Sequence, residues 1–147
     1  MAPWHHRKDL LSGKHRRHGV YVQLAVDLHG RIFGASRAFR GSWHDVHCFR
    51  EAGWVQLVRR SSGCMTDLGY EGEPALHTPV KKKPGIPLAG WQRQLNTEFA
   101  SVRVAAEWGV AHTKNWRILT TRYRSDLSRI DTDTQAAVGL QRINERQ

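Results

Sequence analysis

The stretch "VYVQLAVD" at residues 20–27 constrains the fold most. Val20, Val22, Leu24 and Val26 alternate with Tyr21, Gln23 and Ala25, a pattern that an extended strand places on two opposite faces. "DLHG" supplies a turn, and "RIFGASRAF" at 31–39 reads as a second strand. Together they predict an antiparallel hairpin.

The rest of the chain switches between the two periodicities. "GSWHDVHCFREAGW" at 41–54 reads as a helix, with Ser42 as N-cap and Asp45 as its N3 acid in a capping box. Residues 55–60 continue it or form a short second helix. "SSGCMTD" reads as a short strand with Asp67 at its end, "PALHTPV" as a further candidate strand, and "KKKPGIPLAG" as a broken basic loop. From about Leu88 the period becomes helical, with Leu95, Phe99, Val102, Ala106 and Val110 on one stripe and Asn96, Arg103, Glu107 and Lys114 on a neighbouring face. A last helix is expected over 132–145. This order predicts an α/β fold, a mixed sheet flanked by helices. Residues 1–19 read as a basic N-terminal arm ahead of one domain over 20–147.

The net charge of +10 on 147 residues suits a polyanionic partner, and nucleic acid fits best. Two cysteines make no disulfide framework and suit a reducing compartment. There is no long apolar run and no apolar leader, so a cytoplasmic protein without a membrane span is expected. His44, His47 and Cys48 lie close in sequence but lack the paired spacing of a zinc site.

The residues alone leave two readings of the carboxylates open. Asp67 and Glu107 could hold Mg²⁺ or Mn²⁺, since hard cations take oxygen ligands and drive attack at phosphate. Equally, Asp67 could be a turn residue and Glu107 a partner of Arg103 one helical turn back. Asp45 is a helix cap or an accessory ligand. Lys14, Arg16 and Arg17, with Lys114 and Arg117, are phosphate contacts or solvated charge. Trp108 is half-buried surface or a stacking platform for a base.

Several blocks, in order, resemble one family. They are "SGKHRRHGVYVQLAVDLHGRI" (12–32), "GSWHD" (41–45), "TDLGYEG" (66–72) and the helical series Asn96, Arg103, Glu107, Lys114, Trp116 and Arg117. This pattern is similar to Harbinger-type DDE transposases, the DDE superfamily endonuclease group. The resemblance implies an RNase H-like fold in which the hairpin strands are the second and third. It implies Asp67 and Glu107 as the second and third metal carboxylates, a divalent cation, and DNA cleavage and strand transfer at transposon ends. It implies DNA as partner and a homo-oligomer as the working form. The family's first strand and first Asp would precede the basic block, and both are expected to be missing here. Trp108 and Phe99 stand where the family commonly has Arg and His. The expectation is therefore a transposase fragment with an incomplete site; the alternative is a non-catalytic nucleic-acid-binding module.

Overall fold

The computed structural model describes residues 8–13, 16–120, 123 and 126–145. Six short strands lie between Leu11 and Arg40: β1 (Leu11–Ser12), β2 (Arg17–His18), β3 (Val20–Tyr21), β4 (Leu24–Val26), β5 (Ile32–Ala35) and β6 (Phe39–Arg40). The expected hairpin forms, with β3 antiparallel to β6 and β4 antiparallel to β5. The described part of the arm is folded onto it. Leu10 is only 4% exposed, and its carbonyl accepts the Gly19 N–H at 2.9 Å.

The expected mixed sheet is replaced, among the described residues, by three two-stranded antiparallel sheets. The cause is visible at Gln23. Its N–H donates to the Ser36 hydroxyl at 2.9 Å, while the Ser36 N–H returns to the Gln23 carbonyl at 2.9 Å. A side chain thus takes one rung of the ladder and splits the hairpin into two pairs. A register shift at Ala25/Val26 bends it further.

The strands expected at 61–67 and 74–80 shrink to one parallel bridge between Met65 and His77. Pro74 and Pro79 flank His77 and have no N–H to extend the pairing. Asp67 then opens a 3-10 turn over Leu68–Tyr70.

Helix α1 spans Asp45–Glu51 and α2 spans Trp54–Arg59. The capping box is not formed. His44 is the N-cap, with no side-chain cap bond, so Asp45 is the first helical residue and not the third. Ser42 is diverted: its hydroxyl donates to the Asp9 carbonyl at 2.8 Å, and Trp43 N–H closes a turn onto Arg40.

Helix α3 runs 25 residues, Gly90–Lys114, followed by α4 (Arg117–Thr120) and α5 (Ile130–Asn144). The stripe of α3 begins as expected at Leu95, Phe99 and Val102. It then rotates by one position, so that Gly109 and Thr113 are buried while Ala106 and Val110 are exposed. The reason is a close approach. A Cβ on Gly109 would lie 2.8 Å from Val26 Cγ1 and 2.9 Å from the Gly30 carbonyl oxygen. Gly30, at φ +83°, makes the turn on the other side of that contact.

Helix α5 covers the outer edge of β5 with side chains. Gln135 Nε2 donates to the Ser36 carbonyl at 3.0 Å, Asp131 accepts the Ala38 N–H, and Glu145 Oε2 accepts the Ile32 N–H at 3.0 Å. Gln141 links this edge to the end of α3: it accepts from Trp116 Nε1 at 3.0 Å and donates to Glu145 at 2.9 Å. The hairpin therefore lies between two layers. Val20, Val22 and Leu24 face α3, α4 and α5 across a cavity of about 520 Å³, and the opposite face meets α1 and the 68–70 turn. Among the described residues no helix is long and apolar enough to cross a membrane.

At an exposed helical site a Gly→Ala change stabilises by up to about 1 kcal/mol. Gly109→Ala should reverse that sign, because the new methyl meets Val26 and Gly30. A loss of roughly 1–3 kcal/mol is expected from overpacking, read as a lower urea midpoint. A raised midpoint would show that α3 is not seated on the hairpin at Gly109.

Candidate active site

Asp67 answers first to the backbone. It is the N-cap of the 68–70 turn, and its Oδ1 accepts the Gly69 N–H at 2.9 Å. The side chain is exposed, and among the described residues its second oxygen has no protein partner. Asp45 reaches the same turn from α1. A Cβ on Gly69 would collide with Asp45 Oδ2 and lie 2.9 Å from Asp67 Oδ1. A side chain at Gly69 would displace the Asp45 carboxylate from this place.

A buried polar layer backs this pair. Gln23, 4% exposed, donates from Nε2 to the Asp45 carbonyl at 2.9 Å and to the Tyr70 hydroxyl at 2.9 Å. The Tyr70 and Tyr21 hydroxyls lie 3.3 Å apart. Burial pushes the Tyr70 phenol up to about 12, and the Asp45 and Asp67 charges add to that rise. Burial first, then Tyr70 and the Asp45 carboxylate, raise Tyr21 further still. Both phenols keep their protons, and the Tyr21 hydroxyl faces the Asp45 carboxylate as a neutral donor. Among the described residues two buried side-chain atoms lack partners, Gln23 Oε1 and Thr66 Oγ1.

Two contacts hold the turn to α1. Phe49 and Tyr70 meet edge to face at 6.2 Å between centroids. Glu73, buried, accepts Arg50 Nε at 2.7 Å and the Ala75 N–H at 3.3 Å. The Arg50 bond and these contacts hold the Glu73 carboxyl below the usual glutamate range.

Glu107 is elsewhere. It is exposed and takes Arg103 Nε at 2.9 Å one turn back on α3. Among the described residues no group of three or more His, Cys, Asp or Glu side chains gathers, so Glu107 does not join Asp45 and Asp67 in one cluster. Asn96, on the same face, instead clasps the backbone of Val80 with bonds of 2.8 and 3.0 Å.

The family model of DDE superfamily endonucleases matches residues 2–142 of this chain. The chain belongs to that family. The probable transposase for insertion sequence element IS702 of Microchaete diplosiphon is 26% identical over 140 residues, covering 91% of this chain and 49% of the relative. The chain thus spans about half the length of that curated relative. No solved structure matches.

Within the DDE-family frame, the basic residues divide. Lys14 lies outside the described residues. Arg16, at φ 50°, makes the turn between β1 and β2 and is exposed, as is Arg17. Arg17 and Lys114 line the same cavity, although they are far apart in sequence. Arg117 starts α4 and is exposed. Asp27, at the hairpin turn, is committed locally: it accepts the His29 and Arg31 N–H groups, each at 2.9 Å, and the Arg31 side chain at 2.8 Å. Cys48 is fully buried, and burial pushes its thiol up to about 11, as for a core residue.

Sequence reasoning missed Gln23, Tyr21 and Tyr70. The signal was present in Gln23, an uncharged amide in an otherwise apolar strand, but its partners come from α1 and the 68–70 turn.

Because the folded Glu73 carboxyl is depressed, its stabilising contribution is complete above its ordinary value and is lost as pH falls below it. Wild-type stability should therefore decline below about pH 4.5. Glu73→Gln should cost roughly 1 kcal/mol at neutral pH, discounted because Arg50 is half exposed, and should flatten that acid limb. Urea midpoints measured from pH 7 to pH 3 check it; an acid limb unchanged in the variant would show that Glu73 is not the staple.

Proposed function

We propose that this chain is part of the catalytic domain of a DDE transposase, with an RNase H-like fold, acting on DNA through a divalent cation. The family match over residues 2–142 carries this reading. The chemistry of Asp67 fits the implied metal: an exposed carboxylate, fixed at one oxygen by the Gly69 N–H, offers its other oxygen to a hard ion such as Mg²⁺ or Mn²⁺. In this reading Asp67 is the family's second carboxylate and Glu107 its third, with Arg103 as the counter-ion of Glu107. When bound, the cation would polarise phosphate oxygens and activate an attacking water or hydroxyl. Arg17 and Lys114, with Arg16, Lys14 and Arg117, neutralise the DNA backbone and set its register. The net charge of +10 supports a polyanionic substrate. Cleavage and joining at transposon ends, in a homo-oligomer, complete the proposal.

One observation favours a second reading, a module that binds DNA without cutting it. Glu107 is already paired with Arg103 and is not gathered with Asp67.

The experiment that separates them uses labelled DNA with and without Mg²⁺ or Mn²⁺. On the catalytic reading, cleavage requires the metal. Asp67→Asn and Glu107→Gln then each lower it at least as far as the roughly 10–100-fold that loss of an outer-shell partner costs. Salt-sensitive DNA binding should persist in both variants. Binding without metal-dependent cleavage in the wild type would establish the second reading. Full cleavage by Glu107→Gln would remove Glu107 from the site.

A further inference from the structure

The Asp45 carboxylate is faced by one neutral donor, the Tyr21 hydroxyl. It does not cap α1, and among the described residues it makes no ion pair with Lys or Arg. Yet its Oδ2 lies over Gly69, the residue whose N–H binds Asp67 Oδ1, so the two carboxylates border the same glycine. Neighbouring carboxylates repel each other, and a cation between them removes that cost.

The independent sign of a missing ligand is Gln23. Its carboxamide reaches into the cluster, bonded through Nε2 to the Asp45 carbonyl and the Tyr70 hydroxyl. Its Oε1 is buried without a donor. The amide cannot turn over to solve this, because Oε1 would then face the Asp45 carbonyl oxygen. A buried amide oxygen left unpaired is costly, and folded proteins normally supply it with a donor, a water or an ion. All the free atoms here are hard oxygens, which select Mg²⁺, Mn²⁺ or Ca²⁺ over thiophilic metals.

We propose that Asp45 and Asp67 together ligate one hard divalent cation, with Gln23 Oε1 holding one of its waters. Two carboxylates and retained water are the usual protein share of a Mg²⁺ site. Tyr21 and Tyr70 are positioning residues. The Tyr21 hydroxyl faces the Asp45 carboxylate, and the Tyr70 hydroxyl receives the Gln23 amide. Gly69 leaves open the space that Asp45 Oδ2 occupies beside Asp67. The inference rests on the reading of Asp67 as a cation ligand and adds Asp45, from a different element, as its partner.

The test is Mn²⁺ binding to the full chain, followed by the electron paramagnetic resonance signal of free Mn²⁺. Asp45→Asn and Asp67→Asn should each weaken binding by at least ~10-fold. If Asp45→Asn binds as the wild type does while Asp67→Asn does not, the inference is overturned and Asp67 remains a ligand in the proposed function. If neither change weakens binding, or the wild type binds no Mn²⁺, both fall. A second measurement needs no variant. Trace Mn²⁺ added to the wild type should broaden the ring resonances of Tyr21 and Tyr70 before those of Tyr123. Equal broadening of all three would overturn the site.

Discussion

The approach of Gly109 to Val26 and Gly30 is the contact on which the rest of the structure depends. Two glycines let the long α3 helix lie directly on the hairpin turn. With no side chain on Gly109, the helix backbone packs directly on the Val26 side chain and the Gly30 carbonyl, and this contact sets how closely the helix lies. The end of α3 then carries Trp116 to Gln141 on α5, and α5 covers the edge of β5 through Gln135, Asp131 and Glu145. One close approach thus orders the helical layer and protects a strand edge that would otherwise expose unpaired backbone.

The opposite face of the hairpin is polar where most strand cores are apolar. The Ser36 hydroxyl interrupts the ladder at the Gln23 N–H, and the Gln23 side chain binds the Asp45 carbonyl and the Tyr70 hydroxyl. Gln23 therefore lies both at the break in the sheet and behind the elements that carry the two acids. Glu73 and Phe49 lock the 68–70 turn to α1, so the two acids are carried by elements that are fastened to each other. The site-bearing loops are held by one buried carboxylate and one aromatic contact, and its geometry follows their integrity.

Legibility in the sequence varied with the range of the interaction. The 20–27 and 31–39 hairpin and the existence of α3 were readable, because periodicity is local. The first half of the α3 stripe was readable at Leu95, Phe99 and Val102. Its second half was not, because Gly109 gains its importance only from the turn at Gly30, far away in sequence. The capping box at Ser42 and Asp45 was a valid local pattern that lost to a tertiary one. The Ser42 hydroxyl found the Asp9 carbonyl, and the helix began at Asp45. The 61–67 strand was over-read because the flanking prolines of its partner could not be weighed without knowing that His77 was the partner.

By itself the sequence determined the alternating strands, the helical segments, the charge that calls for a polyanion and the motif blocks that place the chain among DDE superfamily endonucleases. Each of these depends on neighbours a few residues apart or on overall composition. Only the tertiary structure decided that Asp45 stands with Asp67, that Glu107 pairs with Arg103, and that Arg17 and Lys114 line one cavity. The physical reason is that carboxylate geometry is set by close packing between distant segments. At Gly69 that packing turns on a single missing methyl group, which the one-dimensional pattern does not weigh.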